Sequence, residues 1–197
     1  MVNNAIKELY DYIDNHVDCG IVGGNLYTID MKPNPSYSMS FNTLEQVKKE
    51  STWKYVFLSR INRKINRNKQ SNDNFNETTL PKEVAYLFGA DMMISKELFN
   101  QINGFDDDFF MYYEEQELSY RVKQLGFKSI CIPNSKIIHY DGMSTKKVFE
   151  FSERQYRMRV SGSLLYYYKR EKIICLYLLL LYVYILYNLF QILSLYF

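Results

Sequence analysis

The chain has little cysteine, histidine, proline or glycine: three, two, four and eight residues among 197. Cys19, Cys131 and Cys175 are odd in number, widely spaced and form no CxxC. That excludes a disulfide framework and a cysteine-built zinc site, and it fits a reducing compartment. An apolar leader is also missing. The first fifteen residues carry Lys7, Glu8, Asp11 and Asp14, so no secretory signal is read there. Asn76-Glu77-Thr78 is formally a glycosylation sequon, with meaning only in a secretory lumen. Net charge is only +2, so overall balance selects no partner. No internal repeat is present.

What is abundant is apolar surface: 47% hydrophobic and 17% aromatic residues, enough for one domain with a real core. The charges are unevenly placed. Residues 48–69 hold Lys48, Lys49, Lys54, Arg60, Arg63, Lys64, Arg67 and Lys69 against Glu50 alone. Such a run is either a solvated face or a surface for phosphates and anionic lipid heads. No nucleic-acid module accompanies it, and the acids at 106–117 repel phosphate, so no nucleic-acid partner is expected. Residues 173–197 contain no charge. As a helix they extend about 37 Å, more than the roughly 30 Å hydrocarbon thickness of a bilayer. Lys169, Arg170 and Lys172 stand just before them and favour a cytoplasmic N-terminal side. A membrane-embedded helix is expected there, with a buried or interfacial helical hairpin as the other reading.

Periodicity orders the rest. Residues 2–16 read as a helix with Ile6, Leu9, Tyr10, Ile13 and Val17 on its apolar side. Residues 19–24 read as a buried strand ending in a glycine turn at Gly23-Gly24, with 25–29 as a continuation. Residues 32–38 read as a loop, 43–68 as basic amphipathic helices, and 70–79 as a polar, mobile stretch. Strands are expected over 84–88 and 92–94. Ser95 caps a helix to Asn100, and a second helix over 115–124 puts Leu118, Val122 and Leu125 on one face. Strand 127–132 closes at Pro133, and 136–140 is a second extended piece. Strands alternating with helices argue an α/β sheet.

Six carboxylates fall between Asp106 and Glu117, interleaved with Phe109-Phe110 and Tyr112-Tyr113. Acids at a helix start are ordinary dipole chemistry. Beside bulky rings, however, a carboxylate loses hydration and its pKa rises, which suits a general base. His139 follows a strand and reads as structural or, beside acids on strand ends of one sheet, as a metal ligand.

Taken in order, Gly89-Ala90, Met92-Met93-Ile94-Ser95, Gly104-Phe105-Asp106-Asp107-Asp108-Phe109-Phe110, Glu114-Glu115-Gln116-Glu117-Leu118, Gly126-Phe127, Pro133, His139, Gly142 and Ser144 resemble the second half of a family 2 glycosyltransferase of GT-A fold, rhamnosyltransferase-like. The likeness is close over 89–144 and loose over 1–30. It implies a partial GT-A-like mixed sheet flanked by helices, ahead of the C-terminal hydrophobic helix. The expected division is 1–150 as the acceptor-side half, 151–172 as a basic juxtamembrane helix and 173–197 as the membrane helix. By resemblance Glu115 is the general base, Glu114 a supporting acid, and Asp106, Asp107, Gly89 and Ala90 shape the acceptor side. His139 matches a ligand of a divalent cation, magnesium or manganese, and Arg121 is structural. Glu115 and Glu117 stand where the family has aspartates.

The implied activity is inverting, metal-dependent transfer from a nucleotide-sugar donor to a glycan or lipid-linked acceptor. It would serve cell-surface polysaccharide synthesis at the cytoplasmic face of a bacterial membrane. The family's donor-binding half and its D-x-D metal motif are not found in these residues. Asp106 and Asp108 read D-x-D formally but lie in the acceptor loop. A truncated product, a split gene and a mis-called start are all consistent with this. The other expectation is a catalytically inactive remnant, or an interaction module that pairs with a separate N-terminal half.

Overall fold

In the computed structural model, which describes residues 2–42, 74–140, 153–171, 182 and 184–186, helix α1 (Ala5–Asn15) leads into strand β1 (Cys19–Tyr27). Two short strands follow, β2 (Pro33–Asn34) and β3 (Tyr37–Ser38), then β4 (Lys82–Val84), β5 (Tyr86–Leu87) and β6 (Met93–Ile94). Helices α2 (Lys96–Gln101) and α3 (Glu114–Gln124), strand β7 (Lys128–Ile138) and helix α4 (Glu153–Glu171) complete the described order. The chain divides into two units. The first comprises Met1–Phe41, Ser71–Asp108 and Glu114–Glu150, and the second Asn42–Gln70, Phe109–Tyr113 and Phe151–Phe197.

The first unit is a mixed sheet between helices, the α/β class the sequence implies. Strand order is β2-β1-β7-β4, with β6 also pairing β1, and β3 pairs β5 in a separate ladder. Only β1 and β7 are parallel; the other ladders are antiparallel. Side-chain alternation along the two central strands sorts the core. Ile21 and Cys131 point to the face shared with Leu98, Ile102, Leu118 and Val122 of the α2–α3 region. Val22, Ile130 and Ile132 point to the other face, where Leu9 of α1 covers them. Cys19 and Cys131 are buried free thiols, both pushed up to about 12 by burial, so neither is a nucleophile.

Several expectations are corrected here. β1 does not end at its glycines. It runs straight through Gly23-Gly24 because the backbone of other segments needs their missing side chains. A Cβ on Gly24 would strike Ser135, and one on Gly23 would lie 2.5 Å from the Asp91 carbonyl oxygen. Pro133 does not close a strand either. β7 continues beyond it, and Pro133, Asn134 and Ser135 form a bulge between the pairs Gly24↔Ile132 and Asn25↔Lys136. On α1 the buried residues are Ala5 and Leu9, whereas Ile6, Tyr10 and Val17 are exposed. Leu125 is exposed as well, because α3 has already ended.

The polar stretch around residue 76 is part of the fold. Asn76 is 2% exposed. Its backbone N–H donates to Asn25 Oδ1 (3.1 Å), and Asn25 Nδ2 donates back to the Asn76 carbonyl (2.8 Å). The Asn76 amide nitrogen is spent on the Leu80 and Cys131 carbonyls at 3.0 and 3.4 Å. The sequon asparagine is therefore sequestered in the folded chain.

In the second unit α4 is a packed helix, burying Val160, Leu164, Tyr166 and Tyr167. It holds the segment 109–113. The Tyr113 and Tyr166 rings lie 5.8 Å apart, and Lys169 Nζ stands 5.5 Å from the centre of the Phe109 ring. Gly162 leaves room for the Tyr112 carbonyl, which a Cβ there would meet at 2.9 Å. Asn42 bridges the pieces, donating to Tyr113 Oη at 2.5 Å and accepting from Arg170 at 2.8 Å. Tyr112 and Tyr113 both have positive φ, 68° and 76°, a conformation that costs bulky residues about 1–2 kcal/mol each.

Among the described residues no helix is long and apolar enough to cross a membrane. The basic run 48–69 lies outside them, as does the expected span 173–197 apart from Tyr182, Tyr184, Ile185 and Leu186.

Candidate active site

Helix α3 and strand β7 are joined by a three-residue turn, so the helix runs back along the strand. Its N-terminus consequently lies toward the carboxyl ends of the parallel pair β1/β7, where open α/β sheets place their ligands. The first turn of α3 carries Glu114, Glu115 and Glu117. They have different surroundings.

Glu117 is 7% exposed and neutralised. Arg121, one helical turn on, donates to its two carboxylate oxygens at 2.6 and 2.7 Å. The same guanidinium donates to the Gly104 carbonyl at 2.7 Å and to the Ile102 carbonyl. The pair thus staples the loop after α2 to α3, the structural part expected of Arg121.

Glu115 meets no cation among the described residues. Burial pushes its carboxyl up to about 7, and the Glu114 charge adds to the rise. Its own backbone N–H and that of Gly89 pull the other way. Glu115 Oε2 and Glu114 Oε2 are buried and have no hydrogen-bond partner among the described residues. A dried carboxyl with an unspent oxygen is chemically equipped to accept a proton.

The turn over Glu115 is Phe88-Gly89-Ala90-Asp91. A Cβ on Gly89 would lie 3.9 Å from Glu115 Cβ and 4.0 Å from its Cδ. Gly89 and Ala90 are exposed, so the carboxyl sits below a solvent-facing turn. Phe41, Tyr86, Phe88 and Tyr120 form one group of rings in this unit. Phe41 stacks on Tyr86 at 6.1 Å and meets Tyr120 edge-on at 5.5 Å, and Tyr86 contacts Phe88 at 5.9 Å. In the 109–113 segment Phe109 and Tyr113 are buried and Phe110 is 79% exposed.

The structure therefore brings Gly89 and Glu115 together. Asp106 turns on its own loop, accepting from the Asp108 N–H at 3.1 Å, and Asp107 is exposed. His139 lies past the end of β7, its N–H donating to the Tyr27 carbonyl at 2.8 Å. Tyr27 is three strand residues beyond Gly24, about 10 Å along β1. Among the described residues no three His, Cys, Asp or Glu side chains gather as a metal shell. One residue was missed in the sequence, Asp91. Its Oδ2 accepts from the Gly24 N–H at 2.5 Å, and burial raises its pKa. The available signal was an acid directly after Gly89-Ala90.

The comparisons agree on a class. Residues 70–147 match the family described as the N-terminal domain of galactosyltransferase. These matches, each over less than half of the chain, support a glycosyltransferase family 2-like domain. More particularly, it is 31% identical over 64 residues to an N-acetylglucosaminyl-diphospho-decaprenol L-rhamnosyltransferase of Mycobacterium tuberculosis, covering 32% of this chain and 21% of that protein. It is 31% identical over 81 residues to the rhamnosyltransferase WbbL of Escherichia coli K12, covering 38% of this chain and 31% of that protein. The chain thus spans about a fifth to a third of the length of the curated relatives it matches.

Proposed function

We propose that this chain is the acceptor-side portion of an inverting glycosyltransferase with Glu115 as its general base. The acceptor hydroxyl gives its proton to Glu115 Oε2 while the hydroxyl oxygen attacks the anomeric carbon of a nucleotide-sugar. The bond from that carbon to the diphosphate breaks, and the diphosphate leaves with the electron pair. No covalent link to the protein forms, so one positioned carboxylate suffices on the acceptor side. The observation that carries this reading is the buried Glu115 oxygen, without a hydrogen-bond partner among the described residues, beneath the exposed Gly89 turn.

The named relatives support a hexosyl or rhamnosyl transfer and a lipid-linked diphosphate acceptor. Cell-surface polysaccharide synthesis at the cytoplasmic face of a bacterial membrane follows as part of the same proposal. The uncharged 173–197 stretch and the basic 48–69 run would hold the chain there. A divalent cation would neutralise the departing diphosphate. His139 could contribute one ligand, and no step above depends on it.

The test is sugar transfer to a lipid-diphosphate acceptor, with and without manganese, by the wild-type chain and by Glu115→Gln. Transfer abolished by the substitution supports the reading, and retained turnover removes Glu115 from the site. A second reading is a chain that works only with a separate donor-binding polypeptide. Transfer that appears only when such a polypeptide is added would establish it.

A further inference from the structure

We infer that Asp91 is a positioning residue: its carboxylate bolts the Phe88–Asp91 turn to β1 and so holds the Gly89 N–H on Glu115. The inference rests on the reading of Glu115 as the base. The turn is closed by the Asp91 N–H on the Phe88 carbonyl at 3.2 Å. Before it, the Phe88 N–H donates to the Ser36 carbonyl at 3.0 Å, which fixes the entry. After it, β6 pairs with β1 through Ile21↔Ile94 and Val22↔Met93. Between these anchors the turn is tied to the central strand by the Gly24 N–H, which donates to Asp91 Oδ2 at 2.5 Å. Gly23 beside it has no side chain, which lets the Asp91 carbonyl approach. Two successive glycines in the middle of a central strand weaken that strand. One of them admits the Asp91 carbonyl, and the other supplies the N–H that its carboxylate takes.

The groups facing this arrangement are few. Asp91 meets the Gly24 N–H, and its charge is felt by Cys131, whose thiol also senses Lys82. Glu115 meets Glu114 and the Gly89 N–H. Asp91 is not among the charges acting on Glu115, so it acts through backbone geometry and not through its field. This separates two substitutions. Asp91→Asn keeps an oxygen acceptor for Gly24 and discards the charge. Asp91→Ala discards the acceptor.

The experiment follows the Gly89 amide and the Glu115 side-chain carboxyl by NMR through a pH titration of the full chain. In wild type and in Asp91→Asn the Gly89 amide shift should track the Glu115 titration, with one shared midpoint. In Asp91→Ala the Gly89 amide should cease to track it. The Glu115 midpoint should then rise by about half a unit or more, because a hydrogen bond to the charged form has gone. If Asp91→Ala does not fold, Asp91→Ser, too short to reach Gly24, takes its place with the same expectation. An unchanged Gly89 response and Glu115 midpoint in the folded Ala or Ser variant would overturn the inference. A loss of coupling in Asp91→Asn equal to that in Asp91→Ala would also overturn it, since charge would then be the agent. Failure of the functional reading looks different: Glu115→Gln would retain sugar transfer while Asp91→Ala or Asp91→Ser still uncoupled Gly89.

Discussion

Glu115 and Glu117 stand two positions apart on one helix, yet their chemistry differs because, among the described residues, only Glu117 meets a cation. Glu117 is spent on Arg121. Arg121→Ala should leave a buried carboxylate and release two loop carbonyls, costing about 3 kcal/mol in chemical denaturation. Arg121→Lys should recover little of that, since a single ammonium cannot replace a fork that serves four oxygens. Glu115 has the opposite linkage. Its folded pKa, about 7, lies above the ordinary 4.5, so the folded state keeps a proton that the unfolded chain releases. Its contribution is neutral below about pH 4.5 and turns unfavourable as pH rises through 7. Glu115→Gln should therefore leave stability nearly unchanged at pH 4 and raise it by up to about 3 kcal/mol at pH 8. Thermal unfolding at both values checks this. Glu117 and Arg121 lie one helical turn apart, so their pairing is encoded locally. The pairings of Asp91 and Asn76 are not. Their partners, Gly24 and Asn25, are 67 and 51 residues away, and no local pattern encodes such a bond.

At the scale of elements, the helices were readable and the strands less so. Ser95 caps α2 through the Leu98 N–H at 3.1 Å, and α3 begins within a residue of its expected start. Both rest on short-range rules of capping and apolar period. The central strands break the corresponding rules for strands. Glycine and proline ordinarily end an extended run, yet β1 passes through Gly23-Gly24 and β7 through Pro133. The two exceptions account for each other. The Pro133–Ser135 bulge presses against β1 at Gly24, and only a residue without a side chain fits there. Gly24→Ala should cost about 3 kcal/mol, because the new methyl meets backbone that cannot swing aside. Urea unfolding should show it, with Gly126→Ala as a control for backbone strain alone, since a Cβ at Gly126 meets nothing within 4 Å.

For the molecule as a whole, the α/β class and the glycosyltransferase likeness came from a spaced set of short motifs. The two-unit division did not, because segment 109–113 joins α4 across some forty intervening residues. The proposed membrane attachment, read from the 48–69 and 173–197 stretches, belongs to this scale as well. Reversing the charge of Arg60, Arg63 and Lys64 should weaken binding to anionic liposomes by at least about tenfold, given roughly 1 kcal/mol per basic residue at such a surface. Unchanged sedimentation with vesicles would remove the basic run from the proposal. Everything assigned to the site depends on one carboxyl kept dry inside the folded chain. The direct measurement is the Glu115 side-chain carboxyl signal, assigned by its loss in Glu115→Gln and followed by NMR from pH 4 to 9. A midpoint about 7 is the result this account predicts. A midpoint near 4.5, the value of a carboxylate in open water, would contradict it.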